Sequence, residues 1–248
     1  MLCISPIAYL LLLTARHLQV EASLTGSYHR VTSSFPSDMS FCHLQTLPLQ
    51  LAYLKVFICA TYCAKTLNCR LFCIKGDECH LFKTWVSAEY SGTDQDFNGF
   101  TSCYTSWYFS RNLAPRAVIT MEKPLSQNYS EYLGTNGYFC CEYSSCSITQ
   151  RMANPWWKAD LQATYTVSAL IVKPRDDGLD FESVEIRLGN SPTIGENSVF
   201  STYYGIPPPA GSEFIFKPQS LLEGRYLSFQ SNTSYGAFSL CEVQIIEA

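Results

Sequence analysis

Charged residues are scarce in this sequence, and no cluster of basic residues occurs. Only 15% of the 248 residues are charged, and the formal net charge is −4. A surface that binds nucleic acid or an anionic membrane needs many clustered lysines and arginines. Both functions are therefore excluded, and a neutral or modestly polar partner is expected.

The motifs of common enzymes are also lacking. Beyond the first 22 residues the only histidines are His29, His43 and His80, so the second half of the chain has none. No Gly-x-Ser-x-Gly, His-Glu-x-x-His or phosphate-binding loop occurs. Asp177 and Asp180 could form a carboxylate pair, but a solvated loop is the commoner explanation. We therefore expect a protein that is not an enzyme.

Long apolar runs are absent except near the start of the chain. Residues 1–22 have the features of a secretory signal peptide, with an apolar core at Ile7–Thr14 and a small residue, Ala22, at the end. No later segment approaches the roughly 20 apolar residues that a membrane span needs. We expect a secreted, extracellular protein with no membrane span, in which Asn128 and Asn232 are acceptors for N-linked glycans.

Cysteine, by contrast, is abundant. The sequence has 12, of which Cys3 lies in the predicted signal peptide. An exported chain forms disulfides where a cytosolic one more often binds metal, so disulfides are preferred to a zinc site around Cys79 and His80. The cysteines form two groups that do not overlap, one from Cys42 to Cys103 and one from Cys140 to Cys241.

A short linker between the two groups of cysteines predicts two domains. The linker is Ser110–Arg116, and the predicted domains are residues 23–112 and 113–248. Because 11 cysteines follow the predicted signal peptide, they cannot all pair within one chain. We therefore expect either an unpaired thiol or a disulfide-linked homo-oligomer.

The first predicted domain combines one helix with short strands. The apolar pattern over Leu49–Thr66 predicts a helix, and the segments Arg70–Ile74 and Cys79–Lys83 predict strands. Residues 40–107 resemble a PAN/apple domain, and the residues that match are Cys59, Ala60, Cys63, Cys69, Phe72, Cys79, Leu81, Cys103 and Tyr104. The resemblance implies a small α+β domain that binds protein or carbohydrate. It also implies three disulfides, which are Cys59–Cys79, Cys63–Cys69 and Cys42–Cys103.

The second predicted domain begins with a tryptophan pair and continues with strands. Ala153–Leu161 places Trp156 and Trp157 before an apolar run, and we expect at least one of the two rings to pack in a core. Further strands are predicted at Tyr165–Val172, Glu182–Leu188, Glu213–Lys217, Arg225–Gln230 and Leu240–Ile246. Several short strands between turn-rich segments predict an antiparallel sandwich of the jelly-roll type.

Four motifs in this half follow one another in the order, and at nearly the spacing, of a known family. They are Asn154–Leu161, Ser183–Asn190, Gly224–Leu227 and Leu240–Val243. Ala117–Gln127 is also similar to that family's first strand. Because of these five segments, residues 113–248 resemble an F-type lectin (fucolectin) domain. The resemblance implies a mainly β chain, with a discoidin-like antiparallel jelly roll closed by a Cys146–Cys241 disulfide.

The resemblance also implies a site. F-type lectins hold fucose with one histidine and two arginines, and pack its apolar face on a disulfide between adjacent cysteines. The histidine falls at Ile148, the first arginine at Arg175 and a neighbouring aspartate at Asp177, but the second arginine and the adjacent cysteines are absent from the shorter loop Asp176–Glu182. We therefore expect a degenerate fucose site with Arg175 as the surviving polar anchor. The alternative role of Arg175 is a salt bridge to Asp177 or Asp180.

Adjacent Cys140 and Cys141 leave several pairings open. They can bond to each other, or one of them can pair with Cys73, which the implied disulfides leave over, or with another chain.

The family also has a calcium loop, and part of it remains. Leu133–Asn136 replaces the acidic part of that loop, and Glu131 or Asn136 can supply the missing ligand. The matching residues that persist are Ser145, Cys241 and Glu242. Calcium is thus the one cofactor that the resemblance suggests.

Two functions of different classes follow. The first is a secreted lectin-like protein that binds a glycan or glycoprotein through its jelly-roll loops, with the PAN/apple-like half adding a second contact or an oligomer interface. The alternative is an extracellular adhesion or structural protein whose lectin fold has lost its sugar and binds other proteins.

Overall fold

The computed structural model describes residues 28–31, 42–49, 53–84, 86, 99–106, 111–139 and 143–248. The chain forms two compact units, whose described parts lie within residues 28–106 and 111–248. The predicted signal peptide and the adjacent Cys140 and Cys141 lie outside the described residues. None of the helices within those ranges is long and apolar enough to cross a membrane.

The first unit packs one helix on a five-stranded antiparallel sheet. Its elements are β1 (His29–Arg30), β2 (His43–Pro48), α1 (Lys55–Lys65), β3 (Leu71–Lys75), β4 (Glu78–Phe82) and β5 (Ser102–Thr105), and the strand order is β1-β5-β3-β4-β2. Cys59, Ala60 and Cys63 on one face of α1 share a buried cluster with Phe72 and Leu81 of the sheet. The predicted combination of one helix and short strands is therefore present.

The helix is shorter than the apolar pattern predicts. It begins at Lys55 rather than at Leu49, whose backbone N–H instead donates to the carbonyl of Asp77 at 2.8 Å. Two disulfides connect α1 to its surroundings, Cys59–Cys79 to the sheet and Cys63–Cys69 to the segment that follows the helix. Both are among the pairs that the resemblance implied.

The implied Cys42–Cys103 disulfide is wrong. Cys103 on β5 is bonded to Cys73 on β3, and these two residues lie directly opposite one another in the antiparallel ladder, with a Cα–Cα distance of 4.1 Å. Cys42 immediately precedes β2, at the far edge of the sheet, so β3 and β4 separate it from β5. This bond also excludes the suggested pairing of Cys73 with Cys140 or Cys141.

The second unit is built from antiparallel strands. They are β6 (Val118–Met121), β7 (Ser147–Ile148), β8 (Trp156–Lys173), β9 (Val184–Gly189), β10 (Ser198–Tyr203), β11 (Phe214–Phe216), β12 (Leu222–Ser231), β13 (Ser239–Leu240) and β14 (Glu242–Glu247). The main sheet has the order β10-β9-β12-β8-β11, with β6 and β14 also paired to β8, while β7 and β13 form a separate ladder. Single turns of 3-10 helix lie at Ala114–Arg116, Gln127–Tyr129, Glu131–Thr135 and Tyr143–Ser145.

The long strand β8 connects the two halves of this unit. Its first part pairs with β6 and β12, and its last part pairs with β11 and β14. Gln162, at a φ of 67°, lies where the register between β8 and β12 shifts. Such a register shift bends a strand, and side chains from both parts of β8 enter one core, which also contains Phe229 and Phe238.

The two tryptophans take opposite roles. Trp157 is fully buried, donates from Nε1 to the carbonyl of Glu131 at 3.2 Å and packs edge-to-face on Phe229. Trp156 is half-buried on the other face of β8, where the Lys158 ammonium lies 5.7 Å from its ring centroid. The prediction of at least one core ring is confirmed, and β8 begins at Trp156 itself rather than at Tyr165.

The segment predicted as a linker is part of the second unit. Arg111 donates from Nη1 to the carbonyl of Ala248 at 2.6 Å, and Asn112 forms a bridge with Ile246. The Asn112 side-chain oxygen accepts from the backbone N–H of Ile245 at 2.9 Å. Residues 111 and 112 are therefore attached to the last strand, and the predicted boundary before residue 113 is wrong by at least these two residues.

Candidate functional site

The loop between β8 and β9 carries two of the predicted site residues, Arg175 and Asp177, and is held in one conformation by turns. Gly178 donates its N–H to the carbonyl of Arg175 at 2.9 Å, and the carboxylate of Asp177 accepts from the N–H of Leu179 at 3.1 Å. Gly178 has a φ of +74°, and a Cβ on it would lie 1.8 Å from the carbonyl oxygen of Pro208. Only glycine fits at this position, because any side chain would collide with the neighbouring loop.

Hydrogen bonds also fix the loop to neighbouring segments. Ser239 on β13 donates its N–H to the carbonyl of Asp180 at 2.9 Å and its hydroxyl to the carbonyl of Leu179 at 3.1 Å. From the other side, Gly211 donates to the carbonyl of Asp176 at 3.0 Å. The loop is thus a rigid platform for its side chains.

Arg175 is buried, with 8% of its surface exposed. Its guanidinium donates from Nη1 to Asp180 at 2.6 Å and from Nη2 to Asp177, and lies 4.5 Å from the centroid of the Tyr143 ring. Its Nε is buried with no hydrogen-bond partner within the described ranges. The salt-bridge role considered for Arg175 is therefore the one that the geometry shows, with both aspartates as partners.

The same contacts set the ionisation of the neighbouring groups. Burial raises the pKa of Asp177, but the hydrogen bonds from Arg175 and Leu179 outweigh it and leave that pKa below its ordinary value. Burial and the neighbouring Tyr129 raise the pKa of the Tyr143 hydroxyl above its ordinary value, against the opposing effect of Arg175. At neutral pH the site therefore presents a carboxylate acceptor beside a neutral phenol.

A depression of about 390 Å³ opens beside this cluster. Its lining residues are Tyr143, Arg175, Asp176, Asp177 and Ala210. Tyr143 is 42% exposed and the Asp177 side chain 50% exposed, so an aromatic face and a carboxylate both face solvent. Asp176 is held by the Lys173 ammonium at 2.9 Å. Tyr143 was not among the site residues predicted from the sequence, although an aromatic residue three positions before a disulfide-bonded cysteine, Cys146, is a usable signal.

Ile148 cannot contribute to a ligand site. It is 1% exposed and packs in a buried cluster with Ala237 and the Cys146–Cys241 disulfide. A side chain this deeply buried makes no contact with a bound sugar, so its selection as a ligand-binding residue was wrong. The position at which the F-type lectin resemblance places a histidine is therefore part of the core in this chain.

Glu242 is the most unusual carboxylate of the second unit. It is fully buried, its Oε2 accepts from the N–H of Gly137 at 3.1 Å, and its Oε1 has no hydrogen-bond partner within the described ranges. Burial raises its pKa well above the ordinary value, against the effect of the Gly137 hydrogen bond. A hard cation such as calcium is coordinated by oxygen atoms, and a buried carboxylate oxygen without a hydrogen-bond partner is a suitable ligand.

Segments distant in sequence connect the other predicted metal ligands to the neighbourhood of Glu242. The Cys146–Cys241 disulfide joins the residue after Ser145 to the residue before Glu242. Asn136 precedes Gly137, and its side-chain oxygen already accepts from the N–H of Tyr138 at 3.0 Å. No group of three or more His, Cys, Asp or Glu side chains suited to a metal occurs in the part of the chain that the structure describes.

The two glycosylation sequons lie in exposed positions. Asn128 is in the 3-10 turn Gln127–Tyr129, and Asn232 follows the end of β12. Both side chains are open to solvent, as a glycan acceptor requires.

No family model matches this chain. Fucolectin-5 of Anguilla japonica is 30% identical over 149 residues, which cover 56% of this chain and 77% of that protein. Fucolectin-6 of the same eel is 26% identical over 147 residues, covering 56% of this chain and 76% of that protein. The crystal structure of a fucolectin from serum of the striped bass, Morone saxatilis, superimposes with a TM-score of 0.51 at 22% identity, covering 70% of this chain and 58% of that one.

The antiparallel architecture and its disulfides define a mainly β protein with a lectin-type fold. The eel relatives identify the group more closely. The chain belongs to the fucolectin family, as the F-type lectin resemblance predicted.

Proposed function

We propose that the second unit binds a neutral glycan at the depression beside Tyr143 and Asp177. The observation that carries this proposal is an exposed aromatic face next to a solvent-facing carboxylate, both in contact with the buried guanidinium of Arg175. Sugars combine apolar C–H faces with hydroxyl donors, so a ring and an acceptor side by side suit them. The names of the eel relatives support the same class of ligand.

In this proposal each side chain has a distinct task. The Tyr143 ring packs against an apolar sugar face, and Asp177 accepts hydrogen bonds from sugar hydroxyls. Arg175 is a positioning residue rather than an anchor, because Asp177 and Asp180 already occupy its two terminal nitrogens. The preference is for uncharged sugars, since an anionic sugar would meet the ionised Asp177.

The familiar fucose site is degenerate in this proposal. Ile148 is buried, and Asp180 lies on the loop where the family's second arginine would be expected. A site that lacks donors for particular hydroxyls leaves those hydroxyls unpaired, which disfavours that sugar strongly. Fucose in the family's usual orientation is therefore expected to bind weakly.

Calcium binding near Glu242 is a second part of the proposal. The partnerless Oε1 of Glu242 would be one ligand, and the remaining oxygens would come from the Glu131–Asn136 turn, Ser145 and the backbone of Cys241. Calcium takes about six to eight oxygens, and main-chain carbonyls commonly supply part of such a set. The ion would supply positive charge that neutralises the buried carboxylate and fixes the turn against the last strand.

The PAN/apple-like first unit and secretion complete the picture. Four disulfides suit an oxidising compartment, which supports export through the predicted signal peptide. In the proposed protein the first unit adds a second contact with a glycoprotein or joins copies of the chain.

The alternative proposal is an extracellular adhesion protein whose lectin fold binds protein instead of sugar. One observation favours it, since both terminal nitrogens of Arg175 are already engaged in ion pairs and its Nε is buried. The two proposals differ in whether isolated glycans bind.

The deciding experiment is a glycan array probed with the full-length secreted protein, with calcium and with a chelator. Binding of one neutral glycan group, lost in Tyr143→Ala and Asp177→Asn but kept in a Tyr204→Ala control on an exposed loop of the same unit, supports the proposal. An array without any bound glycan overturns it and favours the adhesion protein.

A further inference from the structure

A second depression lies next to the first and has not been assigned a role. Its volume is about 190 Å³, and the lining side chains that bear on its chemistry are Arg151, Asp180, Glu182, Thr233 and Tyr235. Ligand sites typically hold about 300–1,000 Å³, so this depression suits one sugar residue rather than a complete oligosaccharide. It is open enough to receive a group that enters from solvent.

The polar groups of this depression are available, in contrast to those around Arg175. Glu182 is half-buried, and its carboxylate makes no hydrogen bond or ion pair with any residue in the described ranges. The Arg151 side chain is 64% exposed, and its closest partner is Asp180 at 4.0 Å, too far for a strong hydrogen bond. The guanidinium of Arg151 and the carboxylate of Glu182 therefore line the depression and are available to bind a ligand by hydrogen bonds.

An exposed aromatic residue stands at the same place. Tyr235 is 70% exposed although it lines a concave surface. A ring in this position offers a flat apolar face at little conformational cost, and sugar rings pack on such faces. The lining side chains carry one positive and two negative charges, Arg151 against Asp180 and Glu182, so the depression disfavours an anionic ligand.

The Arg175–Asp180 ion pair connects the two depressions. Arg175 lines the first and Asp180 lines the second, and their side chains are 2.6 Å apart. Two concave surfaces that share one ion pair lie within reach of adjacent residues of a single oligosaccharide.

We propose that the depression lined by Tyr235, Glu182 and Arg151 is a second sugar subsite, so that the ligand is a neutral oligosaccharide spanning both depressions. Tyr235 packs against a sugar ring, Glu182 accepts from its hydroxyls and Arg151 donates to its oxygens. This inference rests on the proposed glycan binding and specifies the length of the glycan.

The test compares an oligosaccharide with its parts. The full-length protein carries Asn232→Gln, because Asn232 lies in the same turn as Tyr235 and its own glycan would confuse the measurement. Saturation-transfer NMR and calorimetric titration use free L-fucose, free D-galactose, the disaccharide in which they are linked, and the neutral oligosaccharide with the strongest array signal. Tyr235→Ala, Glu182→Gln and Arg151→Ala are compared with Tyr204→Ala, whose ring is 66% exposed outside both depressions.

The expected result is that the oligosaccharide binds at least about tenfold more tightly than either monosaccharide. Tyr235→Ala and Glu182→Gln should each weaken the oligosaccharide about fivefold while changing the monosaccharides less than twofold, since a ring contact, or the charge on an accepting carboxylate, has about this value. Tyr204→Ala should change neither.

Three other outcomes are informative. Oligosaccharide binding that Tyr143→Ala abolishes and Tyr235→Ala leaves unchanged overturns the second subsite while the proposed function stands. Binding lost only on changing Tyr235 or Glu182 supports this subsite and moves the site away from Tyr143. Absence of any saccharide binding overturns both.

Discussion

The guanidinium of Arg175 donates to the carboxylate of Asp180 at 2.6 Å, and both side chains are largely buried, with 9% and 14% exposed. The F-type lectin resemblance predicted Arg175 as a sugar anchor, whereas the geometry shows it in this ion pair. Because it is buried, each charge depends on the other for compensation. Arg175 therefore maintains the shape of the loop between β8 and β9. The side chains that face solvent beside it are those of Tyr143 and Asp177.

Removing Arg175 should therefore damage stability as well as binding. Arg175→Ala leaves Asp180 as a buried carboxylate with a distant partner, and a broken buried pair costs about 3 kcal/mol or more. We expect the free energy of unfolding of the second unit to fall by roughly that amount, measured by calorimetry and by faster hydrogen exchange in residues 175–180.

Arg151→Ala provides the matched control, since its side chain is exposed and 4.0 Å from the same aspartate. A surface pair at this distance contributes about 0 to 1 kcal/mol. Equal effects of the two substitutions would show that the buried pair does not organise the loop.

The disulfide of the first unit leads to a covalent prediction. Digestion without reduction should yield a peptide that links Cys73 to Cys103, because these residues face each other on adjacent strands. Cys73→Ser should reduce stability by about 3.6 kcal/mol, the chain-entropy value for a loop of 30 residues. Mass spectrometry that finds Cys42 linked to Cys103 would contradict the strand register.

The sequence predicts most of this fold because apolar periodicity and turn residues lie where the strands begin and end. Leu240–Ile246 was predicted as one strand, yet it divides at Cys241. The residues before Cys241 pair with β7, and those after it pair with β8. The strand β10 was not predicted. Its register shifts between Val199 and Ser201, and only Phe200 is buried, so the alternation that marks a strand is lost.

The site was less predictable for a different reason. Arg175 and Asp177 were identified, but no spacing rule reveals that the arginine's two terminal nitrogens would pair with aspartates two and five residues away. Ile148 was selected because of its place in the motif, whereas its contacts are decided by β13 and the Cys146–Cys241 disulfide. Tertiary packing determined the outcome in both cases.

The stability of the second unit should fall in acid because of a further ion pair, between Arg225 and Asp160. Arg225 donates from Nε and Nη2 to the two oxygens of Asp160, at 2.7 and 2.8 Å. These hydrogen bonds, opposed by burial, lower the pKa of Asp160 below its ordinary 3.8. A lowered folded-state pKa gives stability that is present above the ordinary value and is lost as pH falls through the lowered one.

Asp160→Asn should therefore be less stable than the unchanged protein at neutral pH, and the difference should vanish in acid. Denaturant titrations from pH 7 down to about pH 2 would measure it, since ordinary aspartates are protonated there. A difference that stays constant over this range would mean that the ion pair contributes nothing and that the amide merely disturbs the bend of β8 at Gln162.

The last prediction concerns calcium and the buried carboxylate of Glu242. If calcium binds there, millimolar CaCl₂ should raise the melting temperature of the full-length protein, because an ion present at about 100 times its dissociation constant stabilises the folded state by about 2.7 kcal/mol. Glu242→Gln should lose this increase, since the amide keeps the shape but not the charge of the ligand. Glu247→Gln, near the end of the same strand and partly exposed, should retain it.

Calorimetric titration should give one calcium per chain for the unchanged protein and for Glu247→Gln. Equal calcium responses in the two variants would place the ion elsewhere, and no response in the unchanged protein would leave Glu242 as a protonated core residue.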